Sequence, residues 1–125
     1  MGMRRKPLEI TLVEFPSSSM PATSDFLATV CGWTPTVYGQ SYSNLVGGGI
    51  DVGVQGDADE QSPAPLMVIR VSDLEEARER VEAAGGTLTF GPFDFPGGRR
   101  FHFREPGGNE MAMWEAVTRP DPPTE

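Results

Sequence analysis

From residue 8 the chain alternates between two sides. Ile10, Leu12 and Glu14 fall on one, Thr11, Val13 and Phe15 on the other, and Pro16 ends the run. This predicts a strand over residues 8–16. Ser17-Ser18-Ser19 then offers helix N-caps, Pro21 fits a first turn, and Ala22, Phe26, Leu27 and Val30 make a narrow apolar stripe that Gly32 stops. Strand-like pieces come next at 36–38, 41–46 and 50–55.

The second half repeats this order. A strand over 66–71 leads into Ser72-Asp73-Leu74-Glu75, which reads as a capping box with Ser72 as the cap. Leu74, Ala77, Val81 and Ala84 form the expected buried stripe, Glu76 and Arg80 sit four apart, and Gly85-Gly86 closes the helix. Strands are then expected at 87–90, 99–104 and 110–116. The last two flank Glu105-Pro106-Gly107-Gly108-Asn109, where Pro106 fixes φ and the next three residues tolerate positive φ, so a tight hairpin is predicted.

The spacing supports an internal duplication: Leu12 to Leu66 is 54 residues and Gly32 to Gly85 is 53. The polar, turn-rich stretch 57–65 reads as a linker. The expected organisation is one domain over 8–117, with module one at 8–56 and module two at 66–117. Residues 1–7 and 118–125 are expected to be flexible termini. The predicted fold class is α+β: two β-α-β-β-β modules whose mixed sheet curls into a cup, with the helices on its outer face.

Composition narrows the function classes. Ten basic against 18 acidic residues give a net charge of −8, which disfavours nucleic acid and anionic membrane surfaces as partners. One cysteine excludes an intrachain disulfide, and no apolar run has the length of a membrane span, so a cytoplasmic protein is expected. Cys31, at a helix C-terminus where the dipole disfavours a thiolate, reads as a buried inert thiol. Gly47-Gly48-Gly49 lacks the Lys-Ser/Thr of a phosphate loop and reads as a hairpin turn or bulge. The 94–98 stretch reads as a surface loop, with a lid as the alternative.

Two duplicated modules, the Ser72-Asp73-Leu74-Glu75-Glu76-Ala77 and Ala84-Gly85-Gly86 signals, and Phe103-Arg104-Glu105-Pro106-Gly107-Gly108-Asn109-Glu110 together resemble the vicinal oxygen chelate superfamily. This is the group of glyoxalases, bleomycin-resistance proteins and extradiol dioxygenases. The resemblance spans about residues 8–117. It implies that catalytic members hold a divalent metal with His, Gln or Glu from the first and last strands of each module. The matching positions here are Leu12, Leu66, Ala112 and a site near Gly53, with Asp51 two residues away. Leu, Gly and Ala side chains offer no oxygen or nitrogen donor, so neither a metal nor another cofactor is expected.

On the same resemblance Leu12, Glu14, Leu66, Val68, Arg70, Ala112 and Trp114 would line the cup. Arg100 and His102 would join them, leaving Phe101 and Phe103 to pack under a helix. Trp114 suits an aromatic ligand, while Arg70, Arg100 and His102 suit an anionic or carbonyl group. Bland roles compete: Glu14 and Arg70 can pair structurally, Trp114 can be core, and His102 can be a satisfied strand residue. The leading expectation is a metal-independent protein that binds an aromatic or amphiphilic small molecule. Two alternatives stand beside it: a metal-free enzyme with His102 as acid or base, and a metal-dependent lyase or dioxygenase using Glu14, Asp51, His102 or Glu110. A homodimer is expected, with the cup closed within one chain or by swapped halves.

Overall fold

A computed structural model describes residues 7–117. The expectations for 1–6 and 118–125 lie outside the described residues. Eight strands and two helices make an α+β fold in the predicted order: β1 (Glu9–Pro16), α1 (Met20–Cys31), β2 (Thr34–Tyr38), β3 (Tyr42–Val46), β4 (Asp51–Gln55), β5 (Leu66–Arg70), α2 (Leu74–Ala83), β6 (Thr87–Phe95), β7 (Gly98–Arg104) and β8 (Glu110–Ala116). The described residues form two compact units, Glu9–Ile69 and, with residues 7–8, residues 70–117, so most of β5 groups with the first four strands.

In the first unit the strands run in the order β2-β3-β4-β1-β5, with β1 and β4 parallel and β2, β3 and β4 antiparallel. The Gly47-Gly48-Gly49 triplet joins the antiparallel β3 and β4, as a hairpin connection. Met20, Leu45, Val52 and Val54 form the core, with Phe15, Leu27, Ala28 and Trp33 packed against it.

The buried face of α1 differs from the predicted stripe. Met20 and Ser24 are buried, whereas Ala22 is exposed and Phe26 and Val30 are 63% and 65% exposed. Ser24 takes an inner position because its hydroxyl bonds that of Ser43 at 2.8 Å, which satisfies a polar group that apolar patterning would place outside. Ser19 is the N-cap by position but makes no side-chain cap bond; the Ser17 hydroxyl instead accepts from the Ser19 N–H and bonds Thr23. Cys31 is exposed, correcting the buried-thiol expectation, because the outer end of α1 faces away from the core.

In the second unit the order is β8-β7-β6, all antiparallel. α2 buries Leu74, Ala77 and Val81 against Phe101 and Phe103, with Leu88, Met111 and Met113 alongside. Ala84 is exposed, since the helix has ended and the chain turns there. The N-cap is Asp73 rather than Ser72: its carboxylate accepts from Glu76 N–H at 3.0 Å, moving the cap forward by one residue. At the other end Gly86 N–H reaches Val81 C=O and Gly85 N–H reaches Glu82 C=O, with Gly85 left-handed at φ 99°, a Schellman closure.

The predicted β7–β8 hairpin holds, but Asn109 does not use positive φ; Gly108 does, at 99°. Glu105 organises the turn through its carboxylate, which accepts from Gly107 N–H at 2.7 Å and Asn109 N–H at 3.0 Å.

Candidate functional site

Phe101, Phe103, Met111 and Met113 pack on α2, so strand alternation turns Arg100, His102, Glu110, Ala112 and Trp114 to the opposite face. Across β7 and β8, Arg100 stands opposite Trp114 and His102 opposite Ala112. This is the arrangement expected for Phe101 and Phe103.

β6 contributes three rings. Register shifts lie between Leu88 and Phe90 and again between Phe90 and Phe93, so Leu88 pairs with Phe103, Phe90 with His102 and Phe93 with Arg100. Each shift inserts one residue and reverses the facing of the strand beyond it. Leu88 therefore packs with the α2 core while Phe90, Phe93 and Phe95 join the other face. Gly91, at φ 88° in the irregular stretch, adopts a backbone conformation that side-chain-bearing residues resist.

The rings surround two guanidinium groups. Arg100 Cζ lies 5.5 Å from the Phe93 centroid and 6.0 Å from that of Phe95, and Phe95 lies 6.0 Å from Trp114. Arg70 Cζ stands 5.4 Å over Trp114. Backbone and side-chain bonds place it there: Val71 N–H donates to Trp114 C=O at 2.8 Å, and Leu74 N–H to Glu115 Oε1 at 2.7 Å. Each such cation–π contact contributes about 0.5–1 kcal/mol at an exposed site.

His102 is 5% exposed and flanked by Phe90 and Phe93 at 5.8 and 5.9 Å. Its Nδ1 lies 3.4 Å from Glu110 Oε2, which also accepts from the Thr89 hydroxyl at 3.0 Å. A carboxylate at this distance orients the imidazole ring.

Of the predicted site residues, Arg70, Arg100, His102, Ala112 and Trp114 thus gather in the second unit. Leu12 and Glu14 lie in the first, where β1 pairs Leu12 with Asp51 and Glu14 with Gly53. Leu66 and Val68 are buried in β5. Glu14 is 4% exposed and accepts from the Tyr42 hydroxyl at 3.1 Å, and Asn44 Nδ2 donates to Asp51 at 3.2 Å.

The metal of catalytic relatives does not fit these residues. At Gly53 the space that a ligand side chain would need is filled, because a Cβ there would overlap the Tyr42 hydroxyl. Ala112 is fully buried and carries no donor. Among the described residues, no group of three or more His, Cys, Asp or Glu is placed to hold an ion.

The 94–98 stretch is neither lid nor open loop. Phe95 pairs with Gly98 and Asp94 with Arg99, leaving Pro96-Gly97 as a two-residue turn, with the Arg99 guanidinium 3.1 Å from the Asp94 carboxylate. The β6 rings and Tyr42 escaped sequence reading. The signal for the rings was Phe90-Gly91-Pro92-Phe93-Asp94-Phe95, three aromatics around a glycine-proline pair that marks an interrupted strand.

Solved structures share this fold. A hypothetical protein from Bacillus halodurans C-125 superposes with a TM-score of 0.71 at 14% identity, covering 94% of this chain and 100% of its own. Methylmalonyl-CoA epimerase from Mycobacterium tuberculosis gives 0.64 at 15% identity, covering 87% and 88%. By sequence, an uncharacterized protein of Mycolicibacterium smegmatis is 27% identical over 82 residues, 65% of this chain and 71% of that one. The family model for the Glyoxalase/Bleomycin resistance protein/Dioxygenase superfamily matches residues 6–113, and the chain belongs to that superfamily.

Proposed function

We propose that this chain is a metal-independent small-molecule-binding protein whose ligand is aromatic or amphiphilic and engages the face of β6, β7 and β8 opposite α2. The observation that carries this reading is the ring set Phe90, Phe93, Phe95 and Trp114 arranged around Arg70 and Arg100. Phe90 is 55% exposed, and a bulge has turned it away from the core where Leu88 packs. Rings held at the surface beside cations offer stacking area and polar orientation together. Titrating a library of aromatic amphiphiles against tryptophan fluorescence and thermal stability tests the reading; saturable responses are expected, and silence across the library would overturn it.

The pair His102–Glu110 supports a second reading, a metal-free enzyme in which His102 moves a proton. Under it, His102→Gln abolishes turnover of a bound compound while leaving its binding intact. We also read the protein as a homodimer, since exposed Phe26, Val30, Val37 and Tyr38 are apolar side chains that association would bury. Light scattering after gel filtration gives the mass directly.

A further inference from the structure

Arg70 is a cation of this face. It is exposed, its guanidinium is carried on Trp114 at 5.4 Å, and no carboxylate among the described residues forms a salt bridge with it. Arg78 bridges Glu75 and Glu82, and Arg99 bridges Asp94.

Its position is fixed by the backbone that follows the strand end. Val71 N–H is bonded to Trp114 C=O and Leu74 N–H to Glu115, so the backbone after Arg70 is tied to β8. A guanidinium lying on an aromatic face keeps its N–H edge in its own plane, where a carboxylate can take two parallel hydrogen bonds. The indole beneath it lies 6.0 Å from Phe95, which continues the aromatic surface toward Phe93 and Arg100.

We infer that Arg70 is the anion contact of this site and that the ligand class is the aromatic acids, a planar ring bearing a carboxylate. The inference rests on the aromatic-ligand reading and adds the sign of the ligand's charge and the residue that reads it. The ring packs on Phe95 and the edge of Trp114, and the acid meets the Arg70 fork. A protonated amine in place of the acid meets two guanidiniums of like charge. The site therefore selects against cationic aromatics of the same shape.

Three isosteric probes test this on the full chain in a Trp33→Phe background, so that Trp114 alone reports: 2-naphthoate, 2-naphthamide and 2-naphthylmethylammonium. Naphthoate is expected to bind at least tenfold more tightly than the amide, and the amine most weakly. Arg70→Gln is expected to remove the acid's advantage while leaving the amide's affinity within twofold. Arg70→Lys, which keeps charge but loses the fork, is expected to recover only part of it. Circular dichroism and melting temperature establish that each variant folds. Equal binding of acid and amide, preference for the amine, or an unchanged naphthoate affinity in Arg70→Gln overturns the assignment while leaving the aromatic-ligand reading intact. If no probe binds, at any charge, both fall.

Discussion

Leu88 and Phe90 are two residues apart on β6 yet face opposite sides of the sheet, because one inserted residue separates their pairing with Phe103 and His102. Regular alternation would have set both on the same side. The insertion lets one strand serve the α2 core with Leu88 and the ring-bearing face with Phe90.

These two residues should therefore respond differently to truncation. Leu88→Ala is expected to destabilise the protein by about 2 kcal/mol, the lower end of the range for a packed leucine. Phe90→Ala, at an exposed position, is expected to stay within about 0.5 kcal/mol of wild type while weakening an aromatic ligand. Urea denaturation of both variants with ligand titration measures the contrast.

The shift of the helix cap by one residue gives a second contrast. Asp73→Ala removes the carboxylate that accepts from Glu76 N–H and is expected to cost about 1 kcal/mol. Ser72→Ala, one residue outside the cap, is expected to change stability by less than about 0.5 kcal/mol.

Gly53 and Tyr42 should be coupled. Gly53→Ala places a methyl where the Tyr42 hydroxyl stands and is expected to cost about 1–3 kcal/mol as an overpacked site. Tyr42→Phe removes that hydroxyl and its bond to Glu14. The double variant is expected to be more stable than the sum of the single losses by at least about 0.5 kcal/mol; strict additivity in a double-mutant cycle would refute the coupling.

Glu105 predicts an acid limb. The backbone N–H groups of Gly107 and Asn109 hold its carboxyl below the ordinary value of 4.5, with the Asn109 side chain adding to them. A depressed folded-state pKa contributes stability above the unfolded value, and that contribution is lost as pH falls through the folded value. Glu105→Gln should therefore lie below wild type in melting temperature at about pH 6 and converge with it as pH falls below the ordinary carboxyl range and through the lowered folded-state value. A constant gap across that range would count against the turn's carboxylate as the cause.

Regular periodicity is what made parts of this fold legible in the sequence. β8 matched its predicted range of 110–116, and Leu74, Ala77 and Val81 were readable at helical spacing. Facing along β7 followed from the family resemblance, which set Arg100 and His102 inward and left Phe101 and Phe103 to pack under a helix, as they do against α2. The failures have local causes. Phe26 and Val30 looked like core, but two serines satisfied one another and took the inner position instead. Phe93 and Phe95 were hidden because two bulges broke the period of two that would have revealed a strand. Tyr42 was invisible because its role depends on the absent side chain of Gly53 on a neighbouring strand.

The two-residue Pro96-Gly97 turn bears on kinetics. A ribbon paired up to Phe95 and Gly98 has no slack from which to form a gate, and the Arg99–Asp94 bridge straps its end. Entry of a ligand onto these rings should then be a single encounter whose observed rate rises linearly with concentration, with no plateau set by a slow opening step.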